Sequence, residues 1–337
     1  MARVFAVLRA LTRAFFRDQK SLGSVAGNNF FLVTALLLQN AGGFLYLLIA
    51  LVLLFPLSTD PLRKIPASRL VFWPLEKRDR WMLRVVSPWV NPVSWLVAVL
   101  AIWTVRGSFT TGLWILIAGL FAAAFCLSDL PFSPYRALWR RIPNFPGRWN
   151  QLIRKNIREM LMTLDFYCAL LLSIAAVIFR LTVADPPREA LLALTVLIVL
   201  ALSSYAQCLF GLDGDGGLLR YQLLPLRGWE ILAAKDAAFL FLVIPLTLPL
   251  APLSGTAAAL IALAMGHQPA VYQPREQARG RFSSGASLLF GLAQAVLMTT
   301  AAAGVFFNSV LVVVPCLAVW AGSVAYYGRE LERASRA

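Results

Sequence analysis

From Glu189 to Phe210 the chain reads EALLALTVLIVLALSSYAQCLF, 22 residues whose single charge stands at the first position. A hydrocarbon core is ~30 Å thick and an α-helix rises ~1.5 Å per residue, so ~20 apolar residues cross it. Backbone inside lipid must satisfy its own N–H and C=O groups, which makes such a segment a helix. Before it stands Asp185-Pro186-Pro187-Arg188, which cannot continue a helix. Before that break lies a second apolar block, 163–183. The pair reads as a helical hairpin in a membrane.

Outward from this hairpin the same pattern recurs at 30–57, 92–106, 109–127, 237–252, 254–272, 286–306 and 308–326. Short breaks separate several neighbours: Arg106-Gly107-Ser108, Pro252-Leu253-Ser254-Gly255 and Asn308. The whole composition agrees. Of the 337 residues 59% are hydrophobic and 14% charged, with mean hydropathy +0.72. Ordinary soluble domains have roughly 45–50% and 25%. A soluble enzyme, a disordered chain and a nucleic-acid-binding domain are excluded on this ground. The formal net charge of +15 belongs instead to the loops between spans.

Those loops predict orientation by the positive-inside rule. Five Lys/Arg fall in 1–29, seven in 58–91, seven in 128–160, and three each in 211–236, 267–285 and 327–337. Only Arg106, Arg180 and Arg188 lie elsewhere. All six basic segments are expected in the cytoplasm, together with both termini. Block 30–57 joins two of them and is broken at Gln39-Asn40-Ala41-Gly42-Gly43, which suggests a short or re-entrant hairpin; the alternative is one long tilted span with the N-terminus outside. Residues 1–20 carry Arg9, Arg13 and Arg17 at i, i+4 and i+8 among Phe5, Leu8, Leu11 and Phe15, an amphipathic helix for the interface of an anionic leaflet. A targeting presequence is the competing reading. The expectation is an all-α polytopic integral membrane bundle of eight to ten crossings in the lipid bilayer of a bacterial plasma membrane. Its parts are a cytoplasmic interfacial helix over 1–29, a first membrane repeat over 30–150 and a second over 151–337.

The division into repeats rests on two loops. Arg69-Leu70-Val71-Phe72-Trp73-Pro74-Leu75, then Asp79 and Arg84, matches Arg220-Tyr221-Gln222-Leu223-Leu224-Pro225-Leu226, then Glu230 and Lys235. Every correspondence has one offset of 151 residues. Proline suits the first turn of a helix, so each loop predicts a short amphipathic helix along the membrane surface. Such a helix is either a handle for a soluble partner or a plain connector.

The second loop resembles that of type-2 ABC transporter permeases, the membrane subunits of ABC exporters. The resemblance stands on Phe210-Gly211-Leu212-Asp213-Gly214-Asp215-Gly216-Gly217, then Leu224-Pro225-Leu226, Ile231-Leu232 and Lys235, about 30 residues in all. Arg227-Gly228-Trp229 replaces the serine usual after the proline. The first loop is a weaker copy, with Asp60-Pro61 where the Asp-Gly stretch stands in the second. The resemblance implies coupling loops that dock in an ABC ATP-binding subunit. Pro225, Leu226, Trp229, Glu230 and Lys235 form the first candidate, and Pro74, Leu75, Asp79 and Arg84 the second. Leu226 and Trp229 would give apolar contact, while Glu230 and Lys235 would set register or hold the loop to its neighbours. One copy could serve both ATPase subunits, or two permeases could dimerise.

ATP would be bound by that separate subunit. A phosphate-cradling loop needs Gly-Lys-Ser/Thr, and none of Lys20, Lys64, Lys77, Lys155 and Lys235 follows a glycine. No catalytic residue, metal site or other cofactor is expected. Cys126, Cys168, Cys208 and Cys316 are scattered through apolar blocks and read as packing residues. His267, the single histidine, reads as a loop residue. Asp213, Gly214, Asp215 and Gly216 read as a glycine-rich turn, with weak binding of a divalent cation as the lesser reading. The middles of the apolar blocks hold no Asp, Glu or Lys, which weighs against ion-coupled transport; Asp129, Asp165 and Arg180 lie near block ends. Gln39, Asn40, Gln207, Gln294 and Asn308 suit a pathway or hydrogen bonds between helices, with packing as the plainer role for each. The alternatives are a membrane-embedded lipid-modifying enzyme and a non-transporting membrane scaffold.

Overall fold

The structure is a computed structural model of the chain and describes residues 2–17, 73, 76–86, 142–145, 147–213, 221, 225–274, 283 and 285–334. Among these residues all regular structure is helical. The chain divides into two compact units, one of Met1–Leu22 with Asn40–Ser133, the other of Gly23–Gln39 with Pro134–Ala337.

In the first unit α1 (Ala2–Arg17) packs on α2 (Lys77–Val86). Both are amphipathic: Leu11 and Leu83 are buried while Phe5 and Trp81 are exposed. Blocks 30–57, 92–106 and 109–127 lie outside the described residues, as do Pro74 and Leu75.

The second unit holds α3 (Asn150–Met160), α4 (Leu164–Thr182), α5 (Arg188–Ala206), α6 (Gly228–Thr247), α7 (Pro252–Tyr272), α8 (Leu288–Ala303) and α9 (Val313–Ala334). Among the described residues four stretches are long and apolar enough to cross a membrane: Leu164–Thr182, Arg188–Ala206, Leu289–Asn308 and Val310–Arg333. The breaks between apolar blocks fall where the helices turn. Pro187 ends the link from α4 to α5, and Pro252 takes the first position of α7, where its missing N–H costs nothing. At Asn308 a π turn (Gly304–Asn308) and a 3₁₀ turn (Val310–Val312) join α8 to α9.

Helix α7 is the centre of this unit, packed against α5, α6, α8 and α9. Its sequence explains the position. Ala257, Ala258, Ala259, Ala262 and Ala270 are all buried, and small residues let backbones approach closely. At Gly266 the approach is closest: a Cβ there would lie 2.4 Å from the Ala206 carbonyl oxygen of α5.

One boundary and one residue differ from the sequence reading. Helix α6 begins at Gly228, well before the apolar block expected from 237. Its first turns carry Glu230, Lys235 and Asp236, which hydropathy excludes from a span; all three are buried and paired, so the helix tolerates them. Helix α7 continues to Tyr272, so His267 is a fully buried helical residue and not part of a loop.

Candidate functional site

The first turns of α6 gather the buried charges of the second unit. The helix starts with a cap: Glu230 Oε2 accepts from the Arg227 N–H at 2.8 Å, and Glu230 Oε1 pairs with Arg148 just before α3. The Gly228 N–H donates to Glu332 Oε1 of α9 at 2.8 Å. At this crossing two glycines meet backbone to backbone. A Cβ on Gly228 would lie 2.1 Å from the Gly328 carbonyl oxygen, and one on Gly328 would lie 2.6 Å from Trp229 Cα.

One turn further in, Lys235 enters a closed ionic cluster. Its Nζ donates to Asp213 Oδ2 (2.9 Å), the Leu209 carbonyl (2.7 Å) and Asn156 Oδ1 (3.1 Å), which uses all three ammonium protons. Its charge lies over the ring of Phe210, 4.9 Å from the centroid. The other carboxylate oxygen, Asp213 Oδ1, accepts from Lys155 and from Tyr221 Oη (2.8 Å). Glu159 sits 3.5 Å from Lys155 at i, i+4 on α3. Burial pushes the Asp213 carboxyl up, but Lys235 and Lys155 beside it outweigh burial and hold it below the ordinary value. For Glu159 burial prevails over the pull of Lys235, so that carboxyl is raised. Two buried atoms on the same side of α3, Asn156 Nδ2 and Glu159 Oε2, have no hydrogen-bond partner.

The neighbouring residue Asp236 faces the opposite way. His267 Nε2 lies 3.1 Å from both its oxygens, and Trp320 Nε1 donates to Oδ2 at 2.8 Å. His267 Nδ1 lies 2.8 Å from Ser323 Oγ, which donates to the Ala264 carbonyl at 2.8 Å. This network ties α6, α7 and α9 together. Two smaller networks brace the rest. Gln207 Nε2 donates to Gln294 Oε1 at 2.6 Å, and Asp165 Oδ2 accepts from the Ser283 N–H and hydroxyl at 2.9 and 2.6 Å.

The residues singled out in the sequence therefore take different places. Pro225, Arg227 and Trp229 are exposed and Leu226 is half-buried, whereas Glu230 and Lys235 are buried. The segment Pro225 to Lys235 is not a separate surface helix: from Gly228 it is the beginning of α6, because Glu230 and Lys235 find their partners inside. Asp213 is the shared anion of the ionic cluster and not an open turn residue; three donors meet its two oxygens. Gly214, Asp215 and Gly216 lie outside the described residues. Asp79 is the third residue of α2 and Arg84 lies near its end. Among the described residues no group of His, Cys, Asp and Glu could hold a metal ion, and Cys168, Cys208 and Cys316 are buried.

Sequence reasoning missed Arg148, Lys155, Asn156, Glu159, Asp236, Trp320 and Ser323. One signal was present. A helix started after Pro225 and continued at 3.6 residues per turn carries Lys235 and Asp236 into the apolar stretch. No protein-family model, curated protein or solved structure matches this chain.

Proposed function

We propose that this chain is the membrane-spanning permease subunit of an ATP-driven ABC exporter. A separate ATP-binding subunit drives it through the loop at Pro225 to Trp229. The observation that carries this reading is the two-sided construction of that segment. Its outer edge, Pro225, Arg227 and Trp229, is exposed, while its inner side is fastened by Glu230, Lys235 and Asp236 to Arg148, to α3, to the turn after α5, and to α7 and α9. A push on such an edge moves α6 as a rigid lever, because each buried ion pair is costly to break. A flexible loop would absorb the push.

Further parts of the reading extend this one. The bundle crosses the bacterial plasma membrane eight to ten times, with both termini in the cytoplasm. Its two halves are diverged copies, each with a coupling loop; α2 and α6 begin at Lys77 and Gly228, the same offset of 151 residues that relates the two loops. A single copy then presents two handles to an ATPase dimer, and a permease dimer is the other arrangement.

The test is purification of the tagged chain in mild detergent, with ATPase activity measured on the eluate. Wild type is compared with Pro225→Ala/Trp229→Glu, which changes the exposed edge and leaves the buried pairs intact. The expected result is a co-purifying ATPase that the double substitution releases. An ATPase retained in full by the variant, or none in either sample, overturns the reading.

A further inference from the structure

The chain has one histidine, and the fold encloses it completely between a carboxylate and a hydroxyl. Both His267 and Asp236 have no exposed surface. An enclosed carboxylate in a helical bundle needs donors that match its acceptors. Asp236 receives the Trp320 N–H, and its remaining capacity faces His267 Nε2, at 3.1 Å from each oxygen. Nε2 therefore carries a proton. The state of Nδ1 is then decided by Ser323, whose hydroxyl has one proton and two acceptors within reach: His267 Nδ1 and the Ala264 carbonyl, both at 2.8 Å.

Two arrangements satisfy this geometry, and they differ by one proton. In the first, Nδ1–H donates to Ser323 Oγ and the Ser323 hydroxyl donates to the Ala264 carbonyl. The imidazolium then neutralises Asp236. In the second, the proton has left Nδ1, and the Ser323 hydroxyl has turned from Ala264 to donate to the bare nitrogen. Nε2–H stays on Asp236 throughout, and the site carries one negative charge. Neither state strands a ring nitrogen, and the only movement is rotation of one hydroxyl.

We infer that Asp236, His267 and Ser323 form a proton-binding site that fastens α6 to α7 and α9. The bound proton completes a chain of bonds from Asp236 on α6 through His267 to Ser323 on α9 and back to the Ala264 backbone. Its loss removes the last bond and leaves an uncompensated charge within the bundle. Of the three residues only Ser323 is half-buried, while Asp236 and His267 are fully enclosed. The surroundings are otherwise poor in charge. From α9 the ring of Tyr327 stands 6.3 Å from the imidazole, and Tyr272 of α7 stacks edgewise on it at 5.9 Å. Helix α8 has no ionisable residue, α5 carries Tyr205 beside the Ala206 contact with Gly266, and Lys235 of α6 is turned to Asp213. The site needs no partner protein, and its test is independent of the ATPase.

A single histidine makes the test direct. The chain, carrying a tag free of histidine, is labelled with ring-¹⁵N histidine, reconstituted in lipid nanodiscs and titrated by NMR over about pH 5 to 9, the range in which imidazole charge changes. The expected spectrum has one pair of ring signals. Nδ1 passes from protonated to bare while Nε2 stays protonated at both ends. Asp236→Asn, which removes the carboxylate facing Nε2, is expected to weaken proton binding at the ring. A ring whose nitrogens do not change across the range overturns the inference, as does loss of the Nε2 proton in place of the Nδ1 proton. The order Asp–His–Ser is also that of a nucleophile relay; covalent capture of Ser323 by a fluorophosphonate probe would overturn proton storage in favour of acyl transfer. The wild-type spectrum decides the matter even where Asp236→Asn does not fold.

Discussion

Lys235 and Asp236 are adjacent in the chain, both fully buried, and of opposite charge, yet they do not pair with each other. Successive residues on a helix point about 100° apart, so each finds its own network. The Lys235 side is a lattice of fixed charges, with Lys155, Asp213 and Glu159 around it and every ammonium proton used. The Asp236 side has one carboxylate, one imidazole and two neutral donors. The difference teaches that burial alone does not define the role of a charge. A lattice saturated with donors holds one arrangement, whereas a network with one proton to spare has two.

The largest expected effect tests that contrast at its centre. Asp213→Asn leaves Lys235 enclosed without its carboxylate and is expected to cost about 3–5 kcal/mol of stability, read from unfolding in detergent. Asp236→Asn keeps an oxygen that accepts from His267 and Trp320, so its cost is expected near 1 kcal/mol. Equal losses in the two variants would erase the distinction between the networks.

Next is the crossing that carries the outer edge. Gly328→Ala places a Cβ 2.6 Å from Trp229 Cα, and backbone cannot yield there without moving α6. The expected cost is about 1–3 kcal/mol. A variant as stable as wild type would show that α6 is not pinned to α9 at this point.

The two carboxyls of the lattice predict opposite pH trends. Asp213 is held below its ordinary value, so its contribution is present above the unfolded value of 3.8 and is lost as pH falls through the lower folded value. Glu159 is raised above 4.5, so the unfolded chain releases that proton first and stability falls as pH rises through the raised value. Glu159→Gln removes this cost and is expected to gain stability at neutral pH and none in acid. Destabilisation by Glu159→Gln at neutral pH would mean that the contact with Lys155 outweighs burial.

The smallest effect on stability is expected at the edge itself. Trp229→Ala loses an edge-to-face contact with Trp149, centroids 5.8 Å apart, worth about 0.5–1.5 kcal/mol. Under the proposed function the same substitution releases the ATPase, so co-purification falls while the thermal midpoint hardly moves. Loss of both together would place Trp229 in the core of the fold and not at a docking edge.

Much of the helical layout was legible in the sequence because it depends on transfer energies that each residue carries by itself. The Pro-Pro break before Arg188, Pro252 and Asn308 mark turns between helices, and the apolar blocks 163–183 and 189–210 cover α4 and all but the first residue of α5. Hydropathy misled at charged positions. It began the α6 block only after Asp236 and put His267 in a loop, because it assigns each polar side chain the cost of standing alone. The candidate site was legible at one edge only. Pro225 and Trp229 could be found from the loop motif, whereas Asp213 looked like one of several turn residues until Lys155, Tyr221 and Lys235 closed around it.

By itself, then, the sequence determined that the described residues are helical, with segments long and apolar enough to cross a membrane, and the places where these helices break. Tertiary structure alone decided which charges are enclosed and with whom. The partners of Lys235 stand 22, 26 and 79 positions away, and those of Asp236 stand 31 and 84 away. No local period joins such positions. They meet because the small residues of α7 and the glycine crossing of α6 with α9 let the helices approach closely enough for hydrogen bonds to offset the cost of burying charge.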